Sequence, residues 1–272
     1  MKFFKSIFEF YINSSIHVAL AVYALIRITE AYFNLAYNES LNYFIFYGTI
    51  TGYNFVKYAG IAKLHHLSLT KNLRLIQIFS LICFVLMVYY AYHLPANILI
   101  SFIPFGMLTF LYAVPIFKGL TLNLRNTASV KIVVIALVWA GVTTLIPLIS
   151  QGIPLGFNGL LYFVERFLFV IVLTLPFDIR DMKFDKKHLQ TIPQLIGVER
   201  TKKLGFVLLG IIMLIEFFVA PNSSFKLPFI MIFMLLIFLL QRASRNQTKY
   251  YASFWVEAVP VLWLLLMFGL SA

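Results

Sequence analysis

Carboxylates are scarce in this chain. Ten Asp and Glu occur in 272 residues, and none lies between Glu39 and Glu165. Charged residues of both signs make up 12%, about half of what a soluble domain carries. The remainder is dominated by apolar and aromatic residues at 61%, more than a sphere of this size could hide from water. A soluble globular enzyme, a disordered chain and a nucleic-acid-binding domain are thereby excluded. Cysteine is nearly absent as well: Cys83 alone permits no intrachain disulfide and no thiolate metal cluster. Large soluble insertions are also missing, since the longest loop runs only from about 181 to 203.

What is present is a series of long apolar runs. A transmembrane helix needs roughly 20 mostly apolar residues. Nine segments qualify, at about 8–28, 41–61, 75–93, 97–116, 130–149, 159–180, 204–220, 227–241 and 252–270. The expected fold class is all-α: a polytopic membrane protein of about nine transmembrane helices in one bundle, with residues 1–272 as a single domain. The net charge of +12 then becomes a signal of orientation. With the N-terminus inside, 18 of the 22 Lys and Arg fall on one side, Arg27 and Lys226 on the other, and Lys57 and Arg166 within spans. Basic residues concentrate in cytoplasmic loops, so the N-terminus is expected in the cytoplasm and the C-terminus outside. Asn13-Ser14-Ser15 within the first run, and the want of a small-residue cleavage site, argue against a removable signal peptide.

Three of the ten acids fall together in Asp178-Ile179-Arg180-Asp181-Met182-Lys183-Phe184-Asp185, where the sixth span meets the cytoplasm. On a helix, Asp178, Asp181 and Asp185 share one face. Their mutual repulsion, aggravated by the negative end of the helix dipole, calls for a cation. Mg²⁺, bound through a few carboxylates and substrate phosphates, is one solution. Neutralisation by Arg180, Lys183, Lys186 and Lys187 in a solvated loop start is the other.

The chain at this point resembles the UbiA superfamily of intramembrane prenyltransferases. The resemblance rests on nine helices, the Asp-x-x-Asp-x-x-x-Asp run ending the sixth, and Thr191-Ile192-Pro193 followed by Gly197. Leu111-Tyr112-Ala113-Val114-Pro115, then Lys118, Arg125 and Lys131, then Ala136 and Trp139, extend it. No single motif is diagnostic; their order on the matching helices carries the likeness. It implies transfer of a polyprenyl group from an isoprenoid diphosphate to an aromatic or other small acceptor, in a site facing the cytoplasm. Asp178, Asp181 and Asp185 would hold Mg²⁺ and diphosphate, with Asp178 and Asp181 serving catalysis. Lys118, Arg125 and Arg180 would meet phosphate, and Tyr53, Asn54 and Tyr112 would line the substrate site.

One departure stands out. The family's first Asp-rich motif belongs at the end of the second span, which here reads Thr51-Gly52-Tyr53-Asn54-Phe55-Val56-Lys57-Tyr58. Asn54 can stand for the leading Asn, but Phe55, Tyr58 and Ala62 replace the carboxylates. One Mg²⁺ site is therefore expected, the second being lost or replaced by Lys57, which would pair with diphosphate or with Asp178 and Asp181. Snorkelling of Lys57 to the interface is the alternative. The missing motif also supports a non-catalytic descendant that binds an isoprenoid or polyprenyl phosphate; a small-solute transporter is a third reading. His65, His66 and His188 read as solvated loop residues, and Glu165-Arg166 as a local charged pair. Glu216 has no obvious partner.

Overall fold

The computed structural model describes residues 2–58, 71–113, 130–183, 191–220 and 223–271, and every regular element among them is helical. The chain begins with α1 (Lys2–Asn13) and α2 (Ile16–Tyr32). The first apolar run is thus broken, the two helices meeting at 57°. Ser15 at the break adopts φ 65°, a left-handed conformation that ends one helix and starts the next. Then come α3 (Glu39–Tyr58), α4 (Lys71–Tyr92), and the short α5 (Ala96–Ser101) and α6 (Ile103–Ala113).

After α7 (Val130–Ala140), a π-helical turn over Gly141–Leu145 leads into α8 (Ile146–Ser150). The hydroxyls of Thr143 and Thr144 donate to the carbonyls of Trp139 and Ala140 at 2.7 and 2.5 Å, back-bonding that accompanies the widened turn. The longest helix is α9 (Phe157–Asp181), followed by α10 (Ile192–Ile196), α11 (Val198–Val219) and α12 (Ser223–Arg242). Gly197, at φ 83°, supplies the reversal between α10 and α11 that a side chain would resist. A second π-helical turn, Tyr251–Val256, precedes α13 (Val259–Ser271).

Among the described residues, six helical stretches are long and apolar enough to cross a membrane, or seven if the bent pair α1–α2 counts as one. Helices α3 and α11, which fill the second and seventh expected spans, reach spanning length but are more polar. Lys202, Lys203 and Glu216 lie on α11, and Lys57, Asn42 and Asn54 on α3. The helices pack around one apolar core containing Leu25, Ile28, Tyr162, Phe169 and Trp263. Outward faces stay apolar: Leu81, Ile82, Val85 and Tyr89 of α4 are all exposed, a pattern that belongs in lipid. Length, apolarity and these faces make the chain an integral membrane protein.

Candidate functional site

Five helices bring polar side chains to one end of the bundle. From α9, Asp178 is 2% exposed and accepts from Lys131 of α7, Nζ to Oδ1 3.1 Å. One turn on, Asp181 accepts from the neighbouring Arg180, Nε to Oδ1 2.8 Å, while the Arg180 guanidinium lies 5.2 Å over the Phe177 ring. Helix α9 ends at Asp181, and Asp178 and Asp181 stand one turn apart on it. Asp185 lies outside the described residues, as do Lys118, Arg125, His65, His66 and His188.

From α7, Trp139 Nε1 donates to the Tyr53 hydroxyl of α3 at 2.7 Å, and the two rings stand edge to face at 6.4 Å. Tyr112, near the end of α6, interacts electrostatically with both Lys131 and Tyr53. Glu257, just past the second π-helical turn, interacts with Lys57, Arg180 and Tyr53. A ring of groups results: Lys57 and Tyr53, Glu257, Arg180 and Asp181, Asp178, Lys131 and Tyr112. Of the residues singled out in the sequence, Tyr53, Lys57, Tyr112, Asp178, Arg180 and Asp181 belong to it.

Asn54 is held by protein groups beside the ring. It is 3% exposed, donates to the Ser14 carbonyl at 3.0 Å and Ser80 Oγ at 2.7 Å, and accepts from Ser15 Oγ at 2.8 Å. All three bonds go to protein groups, two of them in the α1–α2 break, so its side chain is a fastener. Lys57 donates to Ser15 Oγ at 2.9 Å rather than to Asp178 or Asp181. Its charge is answered across the gap by Glu257.

Two members of the ring are not among the expected site residues. Lys131 enters the sequence reading only as part of the resemblance, and its place one residue inside an apolar run is the signal that points to it. Glu257 sits within the last apolar run, and an acid in a spanning segment is itself a functional signal. Glu165 and Arg166 also differ from expectation: no ion pair joins them. Arg166 instead donates to the Tyr162 hydroxyl, and Glu216 gains a partner in Tyr32, whose hydroxyl donates to Oε1 at 2.6 Å.

The donor chemistry fits Mg²⁺ in a limited way. Among the described residues no three Asp, Glu, His or Cys converge on a point that could hold a metal ion. Asp178 and Asp181 are hard carboxylates one turn apart, and Mg²⁺ needs only one or two such groups when phosphates and waters complete its shell.

The architecture is that of UbiA homologues. A UbiA homolog from Archaeoglobus fulgidus bound to GPP and Mg²⁺ matches at TM-score 0.57, with 14% identity over 96% of this chain and 99% of that one. The homolog bound to Cd²⁺ gives TM-score 0.59 at 14% identity, over 93% and 96%. The DMAPP and Mg²⁺ complex gives 0.55 at 13% identity, covering 99% of each chain. At such identities the likeness defines the fold. No family model and no curated protein matches the sequence.

Proposed function

We propose that this chain is an intramembrane prenyltransferase acting at the polar ring, on an isoprenoid diphosphate and a small acceptor. The observation that carries the reading is the convergence of Asp178, Asp181, Lys131, Arg180, Lys57, Tyr53 and Tyr112 at one end of a UbiA-like bundle. The UbiA homologues of the same fold were solved with GPP and Mg²⁺ and with DMAPP and Mg²⁺. Nine spans in one domain, an N-terminus in the cytoplasm and a ring facing the cytoplasm complete the proposal, supported by the distribution of basic residues.

In this scheme Asp178 and Asp181, with Asp185, hold one Mg²⁺. When bound, the ion neutralises diphosphate oxygens. Lys131, Arg180 and Lys57 supply further positive charge where negative charge grows as the allylic C–O bond breaks. Lys118 and Arg125, as the resemblance implies, would add to that positive charge. Tyr53, held by Trp139, and Tyr112 present ring faces that favour the allylic cation and keep water from it. The acceptor then forms the new bond to carbon and releases a proton.

A second reading is favoured by one observation: Asp178 and Asp181 already have Lys131 and Arg180 as partners, and the second span brings no carboxylate. A chain so neutralised can bind a prenyl diphosphate without transferring it. Purified protein with Mg²⁺ and labelled prenyl diphosphates separates the readings. Binding lost in Asp178→Ala or Asp181→Ala, together with acceptor-dependent diphosphate release, supports transfer. Binding without release supports the second reading, and no binding refutes both.

A further inference from the structure

A second polar cluster lies at the opposite end of α9. Glu165 and Asp178 are 13 residues apart on that helix, about 20 Å at the rise of an α-helix. Glu165 is 0% and Glu216 3% exposed, and the two carboxyl groups interact with each other. Both oxygens of Glu165, and Oε2 of Glu216, nevertheless have no donor. The adjacent guanidinium does not supply one. Arg166 donates to the Tyr162 hydroxyl and, at 3.5 Å, to the Leu25 carbonyl. It lies 5.0 Å over the ring of Tyr162 and 5.3 Å over that of Trp263. Its Nε and the indole Nε1 of Trp263 are likewise buried without partners.

Ionised carboxylates only accept hydrogen bonds, so two facing each other repel unless a cation stands between them. In a bundle core surrounded by lipid, an uncompensated charge is costly. The groups facing the pair are Tyr32 from α2, Tyr162 and Arg166 from α9 and Lys226 from α12, with the Trp263 ring of α13 against the Arg166 guanidinium. Tyr32 and Tyr162 are neutral. Lys226 is partly exposed, 5.9 Å over the Phe217 ring, and acts on Glu216 from the periphery. Two carboxylates and one guanidinium therefore make up the inner cluster, one positive charge short of neutrality.

We propose that Glu165 and Glu216 form a binding site for a single monovalent cation, a proton or an alkali-metal ion, that ties α9 to α11. The bound charge turns the facing oxygens from repelling to bridged and brings the inner cluster to neutrality. Tyr32 and Trp263 draw α2 and α13 into the same cluster, so the cation acts as a fastener for four helices. The sign of its pH dependence follows. With a proton as the cation, the folded state holds one proton more than the unfolded chain. Stability is then fully present at acid pH and falls as pH rises and the site empties, by about tenfold in the unfolding equilibrium per pH unit.

The test is thermal unfolding of the purified protein in detergent across pH at fixed ionic strength, in choline chloride and in sodium chloride. A midpoint that falls with rising pH equally in both salts identifies a proton. A midpoint raised by sodium but not by choline at alkaline pH identifies an alkali ion. In either case the response is expected to disappear in Glu165→Gln and in Glu216→Gln, since an amide supplies the missing donor without a cation. Infrared spectra of the wild type give a readout independent of the variants. Under proton occupancy they show a protonated-carboxyl band, moving in D₂O, at a pH where exposed carboxylates are ionised. A wild-type midpoint indifferent to both pH and sodium overturns the proposal, as does a response undiminished in both variants.

Discussion

Lys131→Met is the perturbation with the clearest consequence at the polar ring. It removes the ammonium 3.1 Å from Asp178 and leaves a carboxylate that is 2% exposed facing a methionine. At an effective dielectric constant near 20, two unit charges at that separation attract by about 5 kcal/mol. Breaking a buried pair from one side typically costs about 3–5 kcal/mol, because the remaining charge is stranded. The Lys131 side chain retains 25% exposure, so water screens part of the interaction and a loss of about 3 kcal/mol is expected. For a chain of this length that corresponds to roughly 6–12 °C in Tm. The assay is thermal unfolding in detergent at one fixed scan rate, comparing wild type, Lys131→Met, Asp178→Asn and the double variant. The double variant should lie well above the sum of the single losses, since neither charge is then stranded. Mg²⁺ should recover part of the loss in Lys131→Met, where it can replace the ammonium beside Asp178, and none in the double variant. A midpoint within about 2 °C of wild type, equivalent to the modest worth of an exposed pair, would refute the buried-pair reasoning. Strict additivity would refute the direct coupling.

Three further outcomes are expected. Asn54→Ala removes three hydrogen bonds, two of them buried at the α1–α2 break and one to Ser80 of α4, and should cost about 2–4 kcal/mol, read as a lowered midpoint at unchanged helical content by circular dichroism. Gly141→Ala places a Cβ onto the Phe105 ring, and the displacement should cost about 1–3 kcal/mol; an unchanged midpoint would show that the ring swings away freely. Lys57→Met should weaken prenyl diphosphate binding, by fluorescence or filter binding, and Glu257→Gln, which removes the carboxylate offsetting Lys57 and Arg180, should strengthen it, with non-additive effects because the two groups interact.

Much of the site could be read from the linear chain, and the reasons are local. Asp178 and Asp181 are legible because three acids in eight residues are conspicuous in a chain with ten. Tyr53, Lys57 and Tyr112 follow from their positions near the ends of apolar runs. The partners of Asn54 are not legible in sequence, because an amide on a helix face looks the same whether it meets a ligand or a neighbouring backbone. The break at Ser14 and Ser15 decides the matter by offering it a carbonyl and a hydroxyl. Lys131 and Glu257 lie far in sequence from Asp178 and Lys57, so only the packing of α7 on α9, and of the last π-helical turn on α9, reveals their partners.

The sequence by itself determined that this is a helical membrane protein, which of its segments are long and apolar, and where along the chain the positive charges fall. Each of those properties belongs to a single segment, read by the bilayer through its length, apolarity and flanking charge. The tertiary structure alone decided which polar groups meet. Lys131 answers Asp178, Glu257 faces Lys57, Tyr32 caps Glu216, and Glu165 is turned to a second carboxyl instead of to Arg166. Those pairings depend on which helices are neighbours and how each is rotated. A bent first span and two π-helical turns shift these rotations in ways that regular periodicity does not foresee.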